Sequence, residues 1–275
     1  MQPINCLNLC EILPYLEKKR SIQNILKDAM QLAQFTTCKR LYVGSSFCGK
    51  YFLHQSDKAL TELAEQCREE DIKVTLVLPT FSEGDLKSGK QRINQIIECC
   101  KDTIDEITVN DFGMLSYIKE NYNQTINLGR LFMKDYRDPR YAEYFQIPWK
   151  PKMFTTYLSS VLKENDIHSC EFDITHKVMD FSDVPCDIIP GLHVPYCYQT
   201  VGRICEYASI SKDISKKFRS NDDCENKCVE NYIEYSLPDG NLRYIRFGRT
   251  IYFKHPGYEV KGLREYRLIY FPIEL

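Results

Sequence analysis

The sequence contains no uninterrupted apolar run approaching the roughly 20 residues that a bilayer-spanning helix needs, so no membrane span is expected. Residues 1–16 lack the basic-then-apolar order of a secretory signal, and a cytoplasmic location is the expectation that follows. Net charge is nearly absent as well. The 36 Lys and Arg against 38 Asp and Glu leave −2, with a pI near 6.2, which argues against a chain that grips nucleic acid through its overall field. Neither an internal repeat nor a low-complexity segment is present. The motifs of common hydrolases are missing too: there is no HExxH helix and no GxSxG elbow.

Cysteine, by contrast, is abundant, at thirteen residues in 275. A reducing compartment disfavours disulfides, and an odd count leaves one thiol over in any fully paired scheme. Cys38, Cys67, Cys99 and Cys100 sit in or beside apolar helical patterns, where cysteine acts as a small buried hydrophobe.

A length of 275 residues suits one barrel-sized unit. Strand-like runs at Arg40–Gly44, Ile72–Leu78, Glu106–Val109 and Thr125–Leu128 alternate with helical patterns at Ile22–Phe35, Ala59–Glu69, Gln91–Cys100 and Met114–Glu120. A helix near Leu158–Glu164 and strands around Cys170–Ile174 and Asp187–Val194 continue the series. This succession predicts an α/β fold, a TIM-barrel-like parallel βα barrel, full or partial. Beyond the barrel, Tyr232–Leu237, Leu242–Phe247, Thr250–Phe253 and Tyr266–Phe271 read as strands of a small C-terminal β appendage, with a hairpin turn at Pro238–Gly240. The expected organisation is a barrel over residues 1–200, with a cysteine-rich segment and appendage over 201–275 packed on it.

Four cysteines, Cys197, Cys205, Cys224 and Cys228, fall in one otherwise polar window. Cys224 and Cys228 are four apart, so on a helical turn their sulfurs point the same way. Convergent soft thiolates select zinc, Cu(I) or an iron–sulfur cluster. The spacing is neither a ferredoxin run nor a paired CxxC ribbon, so the pattern points to a metal site without fixing the metal.

Three segments resemble peptidase family U-32, the collagenase-like peptidases. They are Val201–Cys205 (VGRIC) with the later Cys224-Glu-Asn-Lys-Cys228, Glu106–Gly113 (EITVNDFG), and Leu41–Cys48 (LYVGSSFC). The resemblance is closest to the short iron–sulfur members that act in oxygen-independent ubiquinone hydroxylation. It implies a barrel-like fold and a 4Fe–4S cluster on Cys48, Cys205, Cys224 and Cys228. Cys197 is the competing fourth ligand, and Ile204 is an extra residue relative to the family pattern. The reaction implied is oxygen-independent hydroxylation of a small molecule or an RNA base, with prephenate as the implicated oxygen source. A heteromeric partner of the same family is also implied, and RNA is the less favoured substrate. Peptidase activity, or a non-catalytic iron–sulfur or zinc subunit, are the alternatives.

Further candidate residues lie at strand ends, where barrels gather their chemistry. Asn110 and Asp111 close a strand, although Asp111 also suits a helix cap. Arg130 and Arg203 could hold an anionic substrate, given the planar guanidinium. Glu171 and His193 are candidates for substrate contact, against the blander role of satisfied structural groups. The basic run Lys212, Lys216, Lys217 and Arg219 reads first as a solvated loop. Arg243, Arg246 and Arg249 are spaced by three, which does not align them on one strand face.

Overall fold

The computed structural model describes residues 3–100, 102–133, 148–174, 178–220, 222–229, 232–236, 243–255 and 257–275. In chain order the strands are β1 (Ile4–Asn8), β2 (Arg40–Gly44), β3 (Lys73–Val77), β4 (Ile104–Val109), β5 (Thr125–Leu128), β6 (Ser169–Asp173), β7 (Met179–Asp180), β8 (Ile189–Val194), β9 (Tyr196–Val201), β10 (Ile233–Ser236), β11 (Arg243–Phe247), β12 (Thr250–Lys254), β13 (Val260–Lys261) and β14 (Arg267–Tyr270). The helices are α1 (Leu13–Glu17), α2 (Ile22–Ala33), α3 (Gly49–Leu53), α4 (Asp57–Glu69), α5 (Glu83–Cys99), α6 (Phe112–Asn121) and α7 (Thr156–Glu164).

Eight parallel strands close into a barrel in the order β1-β14-β8-β6-β5-β4-β3-β2. The fold is thus an α/β, TIM-barrel-like barrel carrying extra antiparallel strands towards the C-terminus. The helices start where short polar side chains accept an otherwise unsatisfied N–H: Ser21 from Asn24, Ser56 from Ala59, Asp111 from Met114 and Thr155 from Leu158. Their apolar faces pack on the barrel, as Ile22, Ile25, Leu26 and Ala29 of α2 do. Cys38, Cys67 and Cys100 are buried in the same core, and Cys99 packs against it.

The last strand departs from the expected organisation. Tyr266–Phe271 is not one more strand of the appendage, because β14 inserts between β1 and β8 with Arg267 opposite Ile4 and Gly191. The antiparallel sheet, ordered β10-β11-β12-β9, is therefore an insertion between the seventh and eighth barrel strands. A division at residue 200 cuts across this topology. Parallel strands usually read as continuous apolar runs, and Arg267 at the head of β14 broke that pattern. The Pro238–Gly240 turn lies outside the described residues, while β10 and β11, which it would join, pair antiparallel.

The barrel interior is polar at successive levels. Arg267 reaches across from β14 and forms two bonds to Glu106 of β4, at 2.7 and 2.8 Å. Thr75 also donates to Glu106, and Arg40 lies 3.7 Å from it. One level higher, Glu171 accepts from Thr108 at 2.8 Å and Asn127 at 2.6 Å, and pairs with His193 at 2.8 Å. Near the carboxyl ends, Arg130 pairs with Asp173.

Among the described residues, no helix is long and apolar enough to cross a membrane.

Candidate functional site

The carboxyl end of β2 begins the site. Gly44 has φ +110°, and a Cβ there would lie 2.3 Å from the Val77 carbonyl oxygen, so only glycine permits the turn. The chain then runs through Ser45, Ser46 and Phe47 to Cys48. The buried carboxylate of Glu11 gathers this loop, accepting from the Ser45 hydroxyl and from the Ser46 and Phe47 N–H groups. The Cys48 N–H in turn donates to Ser45 Oγ at 2.9 Å. From the inserted sheet, Arg249 donates to the Phe47 carbonyl through Nε at 2.7 Å.

Cys205 follows β9, and Cys224 and Cys228 precede β10. All three line one pocket with Cys48. Cys228 packs with Tyr51 and Tyr207, and Cys48 and Cys205 lie against that cluster. Lys50 ties the 222–228 segment to the barrel, bonding Asp85 at 2.8 Å and Asp223 at 2.9 Å. Lys212 pairs with Asp222 at 2.6 Å. Among the described residues, four cationic side chains, Lys50, Arg203, Lys227 and Arg249, line the pocket against one acid, Asp222.

Burial favours the protonated thiol at Cys48, Cys224 and Cys228. Burial pushes Cys48 up to about 11, with Arg249 opposing and Cys224 and Cys205 adding to the rise. Burial likewise raises Cys224, against Lys50, and carries Cys228 well above the ordinary thiol value, with Cys48, Cys205 and Cys224 reinforcing it. A ligand that needs thiolates must therefore displace protons as it binds.

The pocket fits a soft metal group in donor chemistry and number. Its void is about 30 Å³, room for one or two waters. Among the described residues, no group of three or more His, Cys, Asp or Glu side chains is disposed to hold a single metal ion. A four-iron cluster makes a different demand, because each thiolate binds a separate iron and the sulfurs surround a body instead of a point.

The remaining candidates sort by position. Cys197 does not line this pocket. It is buried on β9, and its Sγ donates to the Ile174 carbonyl at 2.8 Å. His193 and Glu171 face the barrel interior and bond each other, with side chains 1% and 2% exposed. Arg130, 1% exposed, bonds Asp173 at 3.2 Å and Ser46 Oγ at 2.9 Å beneath the Phe47 ring. A substrate carboxylate would have to displace those partners. Arg203 is exposed at the rim of the cysteine pocket. Asn110 is buried and bonds the Ser46 and Leu78 carbonyls, whereas Asp111 caps α6.

The arginines of the inserted sheet each have a separate internal partner. Arg243 pairs with Glu234 and Glu274, Arg246 with Glu206, and Arg249 bonds the Phe47 carbonyl. They form no common stripe. Lys216 and Arg219 are exposed, as a solvated loop requires.

Sequence reasoning missed Glu11 and Tyr51, and considered Arg249 only as part of a stripe with Arg243 and Arg246, although Glu11, Tyr51 and Arg249 all shape the pocket. Glu11 follows a strand of only five residues, INCLN, whose two Asn and one Cys give no strand signal. Comparison with family models, with curated proteins and with solved structures found no match to this chain.

Proposed function

We propose that this chain carries a 4Fe–4S cluster on Cys48, Cys205, Cys224 and Cys228. Its proposed role is in oxygen-independent hydroxylation of a small molecule, or less favourably an RNA base, as an enzyme or the subunit of one. The observation that carries the cluster reading is that four cysteines from three separate stretches, up to 180 positions apart, line a single pocket at the carboxyl end of the barrel. Chance burial of cysteine gives no reason for such convergence. The reaction class comes from the resemblance to the short members of peptidase family U-32.

When bound, the cluster would supply one-electron chemistry at a potential set by its surroundings. The chain's own residues would do the rest. Glu11 fixes the loop that presents Cys48, and Arg249 sits against the same loop as a positive charge that favours thiolate over thiol. Lys50 and Lys212 hold the 222–228 segment at the rim. Its anchors there are exposed or partly exposed ion pairs, which cost little to rearrange, typically about 0–1 kcal/mol each.

Four thiols also suit a second reading, a single zinc ion, for which the described side chains would have to draw closer together. Anaerobic purification followed by iron, sulfide and zinc assays separates the two. Close to four irons and four sulfides per chain, with a broad visible absorption, supports the cluster. Stoichiometric zinc without iron supports the structural-metal reading, and a chain free of both metals refutes the site.

A further inference from the structure

A second pocket, of about 430 Å³, lies at the same end of the barrel, around the ends of β4 and β5 and the start of α7. Pockets of this size at the carboxyl face of a βα barrel are where small molecules bind. Three aromatic rings form one wall. Phe112 meets Phe132 at 5.1 Å and 82°, and Tyr157 at 6.2 Å and 65°. Leu131, Met153 and Leu158 complete the apolar lining. Phe112 and Tyr157 are 48% and 67% exposed, which is costly for large rings unless something covers them.

The polar groups at this pocket include Asn110, Asp111, Lys152 and Thr155. Asp111 Oδ1 accepts from the Met114 N–H at 2.8 Å, which leaves its other carboxylate oxygen to accept a further bond. The Thr155 hydroxyl accepts from the Leu158 N–H at 3.3 Å, so its own proton remains available to a ligand acceptor. Rings set edge-on to each other leave faces and edges for a further flat ring, an arrangement that a saturated ligand of equal size does not exploit.

We infer that this pocket binds a small planar aromatic molecule of one or two fused rings, with an N–H or O–H on its edge bonded to Asp111. The site stands independently of the cysteine pocket and of any metal there. The two are nonetheless joined, since Asn110 at the base of the aromatic pocket donates to the Ser46 carbonyl, two residues before Cys48.

The test uses the purified full chain and three probes of similar size: indole, benzofuran (flat, without the N–H) and cyclohexanol (an O–H donor on a saturated, non-planar ring). Titration calorimetry or ligand-observed NMR should give saturable indole binding, with benzofuran about threefold weaker and cyclohexanol about tenfold weaker or more, as ring contacts and one hydrogen bond imply. Phe112→Ala and Tyr157→Ala, at exposed positions, should each weaken indole about fivefold. Asp111→Asn keeps a good helix cap and should weaken indole but not benzofuran. Equal binding of indole and cyclohexanol, indole binding unchanged in both alanine variants, or no saturable binding of indole at millimolar concentration would each overturn the inference.

Discussion

Arg267→Met tests the closure of the barrel by its final strand. Arg267 and Glu106 are 11% and 4% exposed and joined by two hydrogen bonds across the interior. Methionine keeps much of the side-chain length but leaves the carboxylate with Thr75, Ser169 at 3.4 Å and the more distant Arg40. Removing one partner of a buried pair typically costs about 3–5 kcal/mol, because the remaining charge stays desolvated. For a chain of this size that is a fall in Tm of roughly 6–20 °C. Burial raises the Glu106 carboxyl, but Arg267 and Arg40 outweigh it and hold the group below its ordinary value. The stability due to this pair is therefore present above the unfolded carboxylate pKa and lost as pH falls through the depressed folded value. The variant should lose stability at neutral pH and show a flatter acid limb than the parent. Urea denaturation at pH 7 and pH 4 reads both effects, and Glu106→Gln combined with Arg267→Met should recover part of the loss. A fall below about 1 kcal/mol at pH 7, with an unchanged acid limb, would mean that β14 does not close the barrel through this pair.

Glu11→Ala orphans the three donors of the 45–47 loop. It should cost about 3 kcal/mol in urea denaturation and reduce metal content at Cys48; unchanged metal content would remove Glu11 from the site's support. Gly44→Ala forces a side chain onto the Val77 carbonyl at positive φ and should destabilise by roughly 1–3 kcal/mol or more, whereas a neutral result would show that the turn tolerates a Cβ. Burial, with the Arg130 charge, keeps the His193 imidazole below its ordinary pKa despite Glu171. The unfolded chain thus takes up this proton first, and stability should decline as pH drops below about 6.5. His193→Gln should flatten that decline in thermal melts between pH 7 and pH 5, and an identical slope would contradict the assignment.

The alternation of β-branched runs with amphipathic helices made the barrel legible from Arg40 to Leu128, because those strands are short apolar segments bounded by turn residues. It failed for the first and last strands of the barrel. Arg267 disguised the eighth strand as part of the appendage, and the Asn-rich β1 gave no signal. A polar barrel interior satisfies its charges through partners far apart in sequence, such as Glu106 with Arg267, and no local window contains that information. The cysteine pocket was legible in part for a related reason. Cys224 and Cys228 are neighbours in the chain, but Cys48 joins them only through the closure of the barrel. Glu171 and His193 bond each other in the barrel interior, a pairing between residues 22 positions apart that no local window contains.

The central claim is that Cys48, and not Cys197, completes a metal-binding set with Cys205, Cys224 and Cys228. Its most direct test is the iron and sulfide content and visible spectrum of anaerobically purified Cys48→Ala and Cys197→Ala beside the parent chain. The account predicts that Cys48→Ala loses most of the bound iron and its absorption, while Cys197→Ala, which removes a thiol bonded to the Ile174 carbonyl, retains both. Retention in Cys48→Ala with loss in Cys197→Ala would contradict it.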